Sequence, residues 1–102
     1  MRTKILITGG SGFIGTNLVE HYHKKNVDIL NIDLSKPKIK EHNPYYVNCS
    51  LLDKNLLRKT IIDFSPSHIV HLAARTDLDG KQLSDYEANT QGLYNLIEII
   101  KD

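Results

Sequence analysis

A chain of 102 residues suits one domain, and with 40% hydrophobic and 25% charged residues it has ordinary globular composition and room for a modest core. A formal net charge of +1, with the lysines scattered along the chain, removes the electrostatic case for a nucleic-acid or anionic-membrane partner. A single cysteine, Cys49, excludes an intrachain disulfide and a cysteine-rich zinc site, and with no signal-peptide core after Met1 and no apolar run near the ~20 residues a bilayer requires, the expected compartment is the cytoplasm.

The first apolar run, Ile5-Leu6-Ile7, is stopped by Thr8-Gly9-Gly10 and reads as a strand buried on both faces, as in a parallel sheet. From Gly12 the period becomes helical, with Ile14, Leu18 and Tyr22 on one face and Phe13 and Asn17 beside them. Lys24-Lys25-Asn26 closes that helix with cations and a residue suited to the left-handed conformation. Residues 27–32 form a second strand, interrupted by Asp28 and Asn31. Residues 35–44 are polar, contain Pro37 and Pro44, and read as a loop. Tyr45-Tyr46-Val47 opens a short third strand. Asp53 caps a second helix that carries Leu56, Leu57, Thr60, Ile61 and Phe64 inward and ends at Ser65-Pro66-Ser67. Residues 68–72 form a fourth strand. Asp77-Leu78-Asp79-Gly80 is a turn, and a long helix follows from about Leu83 to Lys101, with Tyr86, Thr90, Leu93, Ile97 and Ile100 on one face. The order β-α-β-β-α-β-α over residues 1–102 predicts an α/β unit with a parallel sheet, helices on both faces and right-handed crossovers. If the first strand is central, the strand order is 3-2-1-4.

Thr8-Gly9-Gly10-Ser11-Gly12-Phe13-Ile14-Gly15 lies between the first strand and the first helix. It parses as G-x-x-G-x-x-G through Gly9, Gly12 and Gly15, and as G-x-G-x-x-G through Gly10, Gly12 and Gly15. Gly9 supplies the backbone freedom of a tight turn, Gly12 leaves room for a pyrophosphate, and Gly15 lets the helix pack close to the sheet. The free N–H groups and partial positive charge at the helix start favour phosphate oxygens. Asp33 ends the next strand, 18 positions after Gly15. That is near the ~20 expected of the acid that accepts the adenosine ribose hydroxyls. Strand, glycine loop, helix and acid together predict a Rossmann-type dinucleotide site, and the carboxylate favours NAD over NADP.

The remaining polar candidates read as structural. His21 and His23, two apart on a helix, point about 200° from each other. His68 and His71, three apart on a strand, lie on opposite faces. Asp77 and Asp79 belong to a turn, and Cys49 has no adjacent cation and reads as a packed small residue.

Taken together, the glycine loop, Ile32-Asp33, His71-Leu72-Ala73-Ala74, and Asn89-Thr90-Gln91-Gly92 leading to Asn95-Leu96 resemble the extended short-chain dehydrogenase/reductases. The specific resemblance is to the NAD-dependent epimerase/dehydratase branch that acts on nucleotide sugars. It implies that Gly12, Phe13 and Ile14 contact the pyrophosphate and that Asp33 holds the adenosine ribose. It further implies that Leu72, Ala73 and Ala74 line the cofactor cleft, and that Asn89 lies near the nicotinamide half or braces the strand-helix junction. Ser50, with Leu51 beside it, stands where the family commonly has an aspartate on the adenine amino group, which implies a weaker adenine contact. From their place after the fourth strand, Thr76 and Asp77 are a secondary candidate for bordering the substrate, the turn reading of Asp77 being the favoured one.

The family's chemistry uses a Tyr-x-x-x-Lys pair with a nearby hydroxyl, the lysine charge helping the phenol act as a base. Four residues after Tyr22, Tyr45, Tyr46, Tyr86 and Tyr94 stand Asn26, Cys49, Ser50, Thr90 and Glu98, none of them lysine. The expectation is therefore the N-terminal, NAD-binding part of a longer nucleotide-sugar epimerase or dehydratase, itself catalytically silent. The partners expected are NAD(H) and, for the parent enzyme, a nucleotide sugar. The apolar edge around Ile69-Val70 also predicts self-association or marginal stability of the 102-residue chain, and at best weak NAD binding. The competing reading is a non-catalytic module that senses nucleotide.

Overall fold

The computed structural model describes residues 2–73 and 87–101. Within them the chain runs β1 (Lys4–Thr8), α1 (Phe13–His23), β2 (Asp28–Asp33), a 3-10 helix (Lys40–Tyr45), β3 (Tyr46–Asn48), α2 (Lys54–Phe64), β4 (His68–His71) and α3 (Glu87–Lys101). The strands form one parallel sheet in the order β3-β2-β1-β4, as expected. Leu6 stands between Leu30 and Ile69. Central placement suits β1, whose Ile5, Leu6 and Ile7 are all buried and whose two faces both need cover.

Alternation along the strands divides the core into two layers. Leu6, Leu30 and Ile32 pack with Leu57 and Ile61 of α2 and with Leu96 and Ile99 of α3. On the opposite face Ile5, Ile7 and Ile29 pack with Val19 of α1, with Leu18, Tyr22, Val70 and Leu72 at the margin. The helices therefore cover both faces, with α1 on one and α2 and α3 on the other.

Each helix turns a somewhat different stripe inward from the one its apolar spacing predicts. In α1 the buried residues are Gly15 and Val19, and Ile14 is 66% exposed. Gly15 sets this phase. An added Cβ there would stand 2.2 Å from the Gly9 carbonyl oxygen, so this face must meet the turn and Ile14 rotates outward. In α2, Leu57 and Ile61 are buried while Leu56 is exposed. In α3 the buried set is Gly92, Asn95, Leu96 and Ile99, not the stripe through Leu93, Ile97 and Ile100. Gly92 fits against the Leu51 side chain, and the Asn95 amide donates to the Leu51 carbonyl at 2.9 Å. One glycine and one buried amide thus outvote the larger apolar groups. Lys54 of α2 pairs with Glu98 of α3. Tyr86, the turn at residues 77–80 and the expected helix start at 83–86 lie outside the described residues.

The element ends are set by local chemistry. Asp53 accepts the Leu56 N–H at 3.2 Å at the start of α2, as expected. Ser65, with φ of 54°, ends α2 in the left-handed region and donates its N–H to Ile61. The end of α1 differs from expectation. Lys24 stays right-handed, Asn26 has no positive φ, and its side chain instead accepts from Arg2 at 2.8 Å. The segment read as loop holds the 3-10 helix, whose tight turn accommodates Pro44. Its buried His42 lies 2.9 Å from Glu20 through Nε2, and Tyr45 lies 2.6 Å from His23. These contacts fasten the segment to the C-terminal half of α1.

Candidate functional site

The carboxyl ends of β1 and β2 and the start of α1 meet at the glycine loop. Gly9 has φ of 80°, a conformation that side chains other than glycine rarely adopt, and its N–H bonds the Ile32 carbonyl at 2.8 Å. A Cβ on Gly9 would also meet the Ala73 nitrogen at 2.8 Å, so the loop lies directly against the end of β4. A Cβ on Gly10 would collide with the Asn31 side chain at 2.5 Å. Gly15 abuts Gly9 and Gly10, so its closest approach is to the turn itself.

Gly12 differs from these three. A Cβ there would meet only the Gly9 carbonyl oxygen, at an ordinary 3.5 Å. Its φ is −78°, open to any residue. It caps α1 without a side chain, and the first turn of α1 carries no acid. The N–H groups of Phe13, Ile14 and Gly15 therefore have no cap from the Gly12 side chain, and no acid within the first turn of α1 offsets its partial positive end. Phe13 is 79% exposed beside it.

Asp33, at the end of β2, is half-buried and joins this site. Oδ2 accepts the Ser11 N–H at 3.0 Å and Oδ1 accepts the Ser35 N–H at 3.0 Å. The acid and the loop, read as separate signals in the sequence, are thus in direct contact. Cys49 donates its N–H to the Asp33 carbonyl, which brings the end of β3 alongside. There Ser50 is half-buried, and its hydroxyl accepts the Leu52 N–H at 3.1 Å, an occupation that belongs to the turn. Leu51 packs against the α2–α3 layer. Burial, and then the Asp53 charge, push the Cys49 thiol up, so it remains a protonated, packed group. Ala74, Thr76 and Asp77 lie outside the described residues, and Asn89 lies in α3. Among the described residues no group of three His, Cys, Asp or Glu gathers at one point, and no helix is long and apolar enough to cross a membrane.

Two polar arrangements of the site join residues that the sequence offered only separately. Asn31 is 1% exposed and bonds both Gly10 and Ser11. The second is a clasp between β1 and β4. Thr8 Oγ1 accepts the N–H groups of Leu72 at 3.0 Å and Ala73 at 3.2 Å, and lies 2.7 Å from His71 Nδ1. The Leu72 N–H also reaches the Thr8 backbone oxygen, at 2.9 Å, and a neutral His71 with an unprotonated Nδ1 can accept the Thr8 hydroxyl proton. Burial lowers the His71 pKa from its ordinary 6.5, in the same direction. The sequence signal for both features was a polar residue inside an apolar strand run.

The clasp has a pH signature. The unfolded chain takes up the His71 proton before the folded chain does, so stability from this group is complete above pH ~6.5. It falls as the pH drops through the window between that value and the lower folded pKa. Urea midpoints measured from pH 8 to pH 5 should fall more for the wild type than for His71→Gln. Equal losses in the two proteins would show that His71 is not held neutral.

The chain is similar to known proteins over nearly its whole length. Residues 5–102 match the NAD dependent epimerase/dehydratase family. The dTDP-glucose 4,6-dehydratase of Haemophilus influenzae is 32% identical over 96% of this chain and 33% of its own length. The UDP-glucose 4-epimerase of Mycoplasma pneumoniae is 28% identical over 99% of this chain and 32% of its own. Among solved structures, the Bordetella bronchiseptica enzyme WbmG in complex with NAD superposes with a TM-score of 0.82 at 32% identity, covering 97% of this chain and 34% of that one. The Thermus thermophilus UDP-glucose 4-epimerase complex with NAD gives a TM-score of 0.83 at 28% identity, over 95% of this chain and 33% of that one. The chain spans about a third of the length of the curated relatives it matches. With its β3-β2-β1-β4 parallel sheet, its glycine loop and the match over residues 5–102, the chain belongs to the NAD-dependent epimerase/dehydratase family.

Proposed function

We propose that residues 1–102 form the dinucleotide-binding unit of an NAD-dependent nucleotide-sugar epimerase or dehydratase. NAD(H) is its cofactor, and a nucleotide sugar is the substrate of the whole enzyme. The observation that carries this reading is Gly12. Gly9, Gly10 and Gly15 are required by the fold, because a Cβ on each would strike the protein itself. A Cβ on Gly12 would make one ordinary contact at an uncapped helix start, where a glycine serves an incoming group rather than the chain. Relatives in this family act on dTDP- and UDP-sugars, and WbmG has been solved with both NAD and UDP.

In this reading the N–H groups of the Gly12-Phe13-Ile14 segment bind the pyrophosphate. Each Asp33 oxygen already accepts one N–H and keeps lone-pair capacity for a ribose hydroxyl, while its charge repels a 2′-phosphate. Leu72 and Ala73 form the wall beside Gly9, Ala74 is assigned to the same cleft by its place in the motif, Ser50 and Leu51 bound the adenine side, and Asn89 is assigned to the nicotinamide side. Bound NAD supplies the hydride acceptor and donor for transient oxidation of the sugar. The single cysteine, buried and free, suits a reducing cytoplasmic setting. The β4 edge is a template for pairing with a second copy.

Titration with NADH and NADPH tests the assignment. The wild type should prefer NADH, and Asp33→Ala should reduce that preference by about tenfold, or ~1.4 kcal/mol. A wild type that prefers NADPH would remove Asp33 from its role.

A further inference from the structure

We propose that Asn31 is a positioning residue of the dinucleotide site: its buried side-chain amide latches the glycine loop to β2 and holds the phosphate-facing N–H groups in place. The proposal rests on the dinucleotide-binding reading given above.

Asn31 occupies a position where the sheet calls for an apolar residue. It lies on the α1 side of β2, two residues from Ile29, and pairs in register with Ile7 of β1 and Tyr46 of β3. An amide buried there is costly unless both ends are bonded. Both are, and both partners are loop residues. Oδ1 accepts the Gly10 N–H at 2.8 Å, and Nδ2 donates to Ser11 Oγ at 3.1 Å. The orientation of the amide is fixed by chemistry, because the Gly10 N–H is a donor and only the oxygen can receive it.

The latch reaches the ligand end through a short path. Ser11 donates its own N–H to Asp33 and immediately precedes Gly12, the open position at the start of α1. Gly10 cannot carry a side chain, because its Cβ would fall on Asn31 itself at 2.5 Å. The second glycine of the loop is therefore explained by Asn31 and not by the phosphates. Loss of the amide releases Gly10 and Ser11, and with them the direction of the helix-start N–H groups. Asp33 keeps its Ser35 partner, so the ribose end is the less affected half of the site.

The test uses the 102-residue chain, with adenosine, ADP and NADH as probes and binding followed by NMR shift titration. Asn31→Leu keeps the branched shape, with methyl groups bulkier than the amide atoms, and removes both bonds. It is expected to weaken ADP and NADH about tenfold. Adenosine should change less than about twofold, and exchange of the Gly10 amide proton should accelerate while the amides of β1 stay protected. A role confined to fold stability would shift all three probes alike. If Asn31→Leu does not fold, Ser11→Ala decides. It frees only the amide nitrogen of Asn31, and ADP should still weaken severalfold with adenosine unchanged. Unaltered ADP affinity in the folded variant overturns the proposal while leaving the dinucleotide site standing. A folded wild type that binds neither ADP nor NADH overturns both.

Discussion

Replacing Gly12 by valine is expected to weaken NADH binding by about a hundredfold or more while the urea midpoint stays near that of the wild type. The protein itself gives the substitution room, since the nearest atom to an added Cβ is the Gly9 carbonyl oxygen at 3.5 Å. Its φ of −78° imposes no strain. The loss falls on the ligand. A branched side chain would stand where phosphate oxygens approach the N–H groups at the start of α1. Charge-assisted hydrogen bonds contribute about 1.5–3 kcal/mol each, so losing one or two accounts for a hundredfold, about 2.8 kcal/mol. Paired denaturation curves and NADH titrations separate the two effects. Unchanged affinity would remove the glycine loop from the site.

Gly15→Ala should do the opposite. Here the added methyl would lie 2.2 Å from the Gly9 carbonyl oxygen and 2.6 Å from Gly10 Cα. Both obstacles are backbone, held by Gly9 at positive φ, by the Gly9 bond to Ile32 and by the Gly10 bond to Asn31. Neither can swing aside as a side chain would. The cost expected is about 3 kcal/mol or more, a large part of the ~5–15 kcal/mol that holds a domain of this size together. Urea unfolding measures it, and a loss below about 1 kcal/mol would mean the turn is softer than its bonding indicates. On the proposed reading, two glycines three residues apart in one motif are there for different reasons, one for the ligand and one for the chain.

The order of elements and the sheet order were legible because fully buried parallel strands read as short apolar runs and the helices between them show a clear period. The phase of the helices was not. Apolar spacing in α1 and α3 offered Ile14 and the Leu93-Ile97-Ile100 stripe, but close approaches at Gly15 and Gly92 and the Asn95–Leu51 bond chose other faces. Such contacts join residues remote in sequence and leave no periodic trace. The glycine loop and Asp33 were legible as separate signals, and their direct contact through Ser11 emerges only in three dimensions. Asn31 registered only as a polar interruption of a strand, and Thr8 and His71 only as members of two separate motifs. Their partners lie 20 to 65 residues away along the chain, so local pattern could not assign them. The 3-10 helix at Lys40–Tyr45 was hidden by Pro44 and its charges, and its tie to α1 runs through His42 and Glu20.

The most direct measurement is an NMR titration of the isotopically labelled chain with NADH, following every backbone amide. If the carboxyl end of the sheet is a dinucleotide site, binding saturates and the largest shifts fall on residues 10–15, on Asp33 and Ser35, and on Ala73. Absence of saturable binding by the folded chain, or shifts centred on the opposite end of the sheet around Lys4 and Asp28, would contradict it.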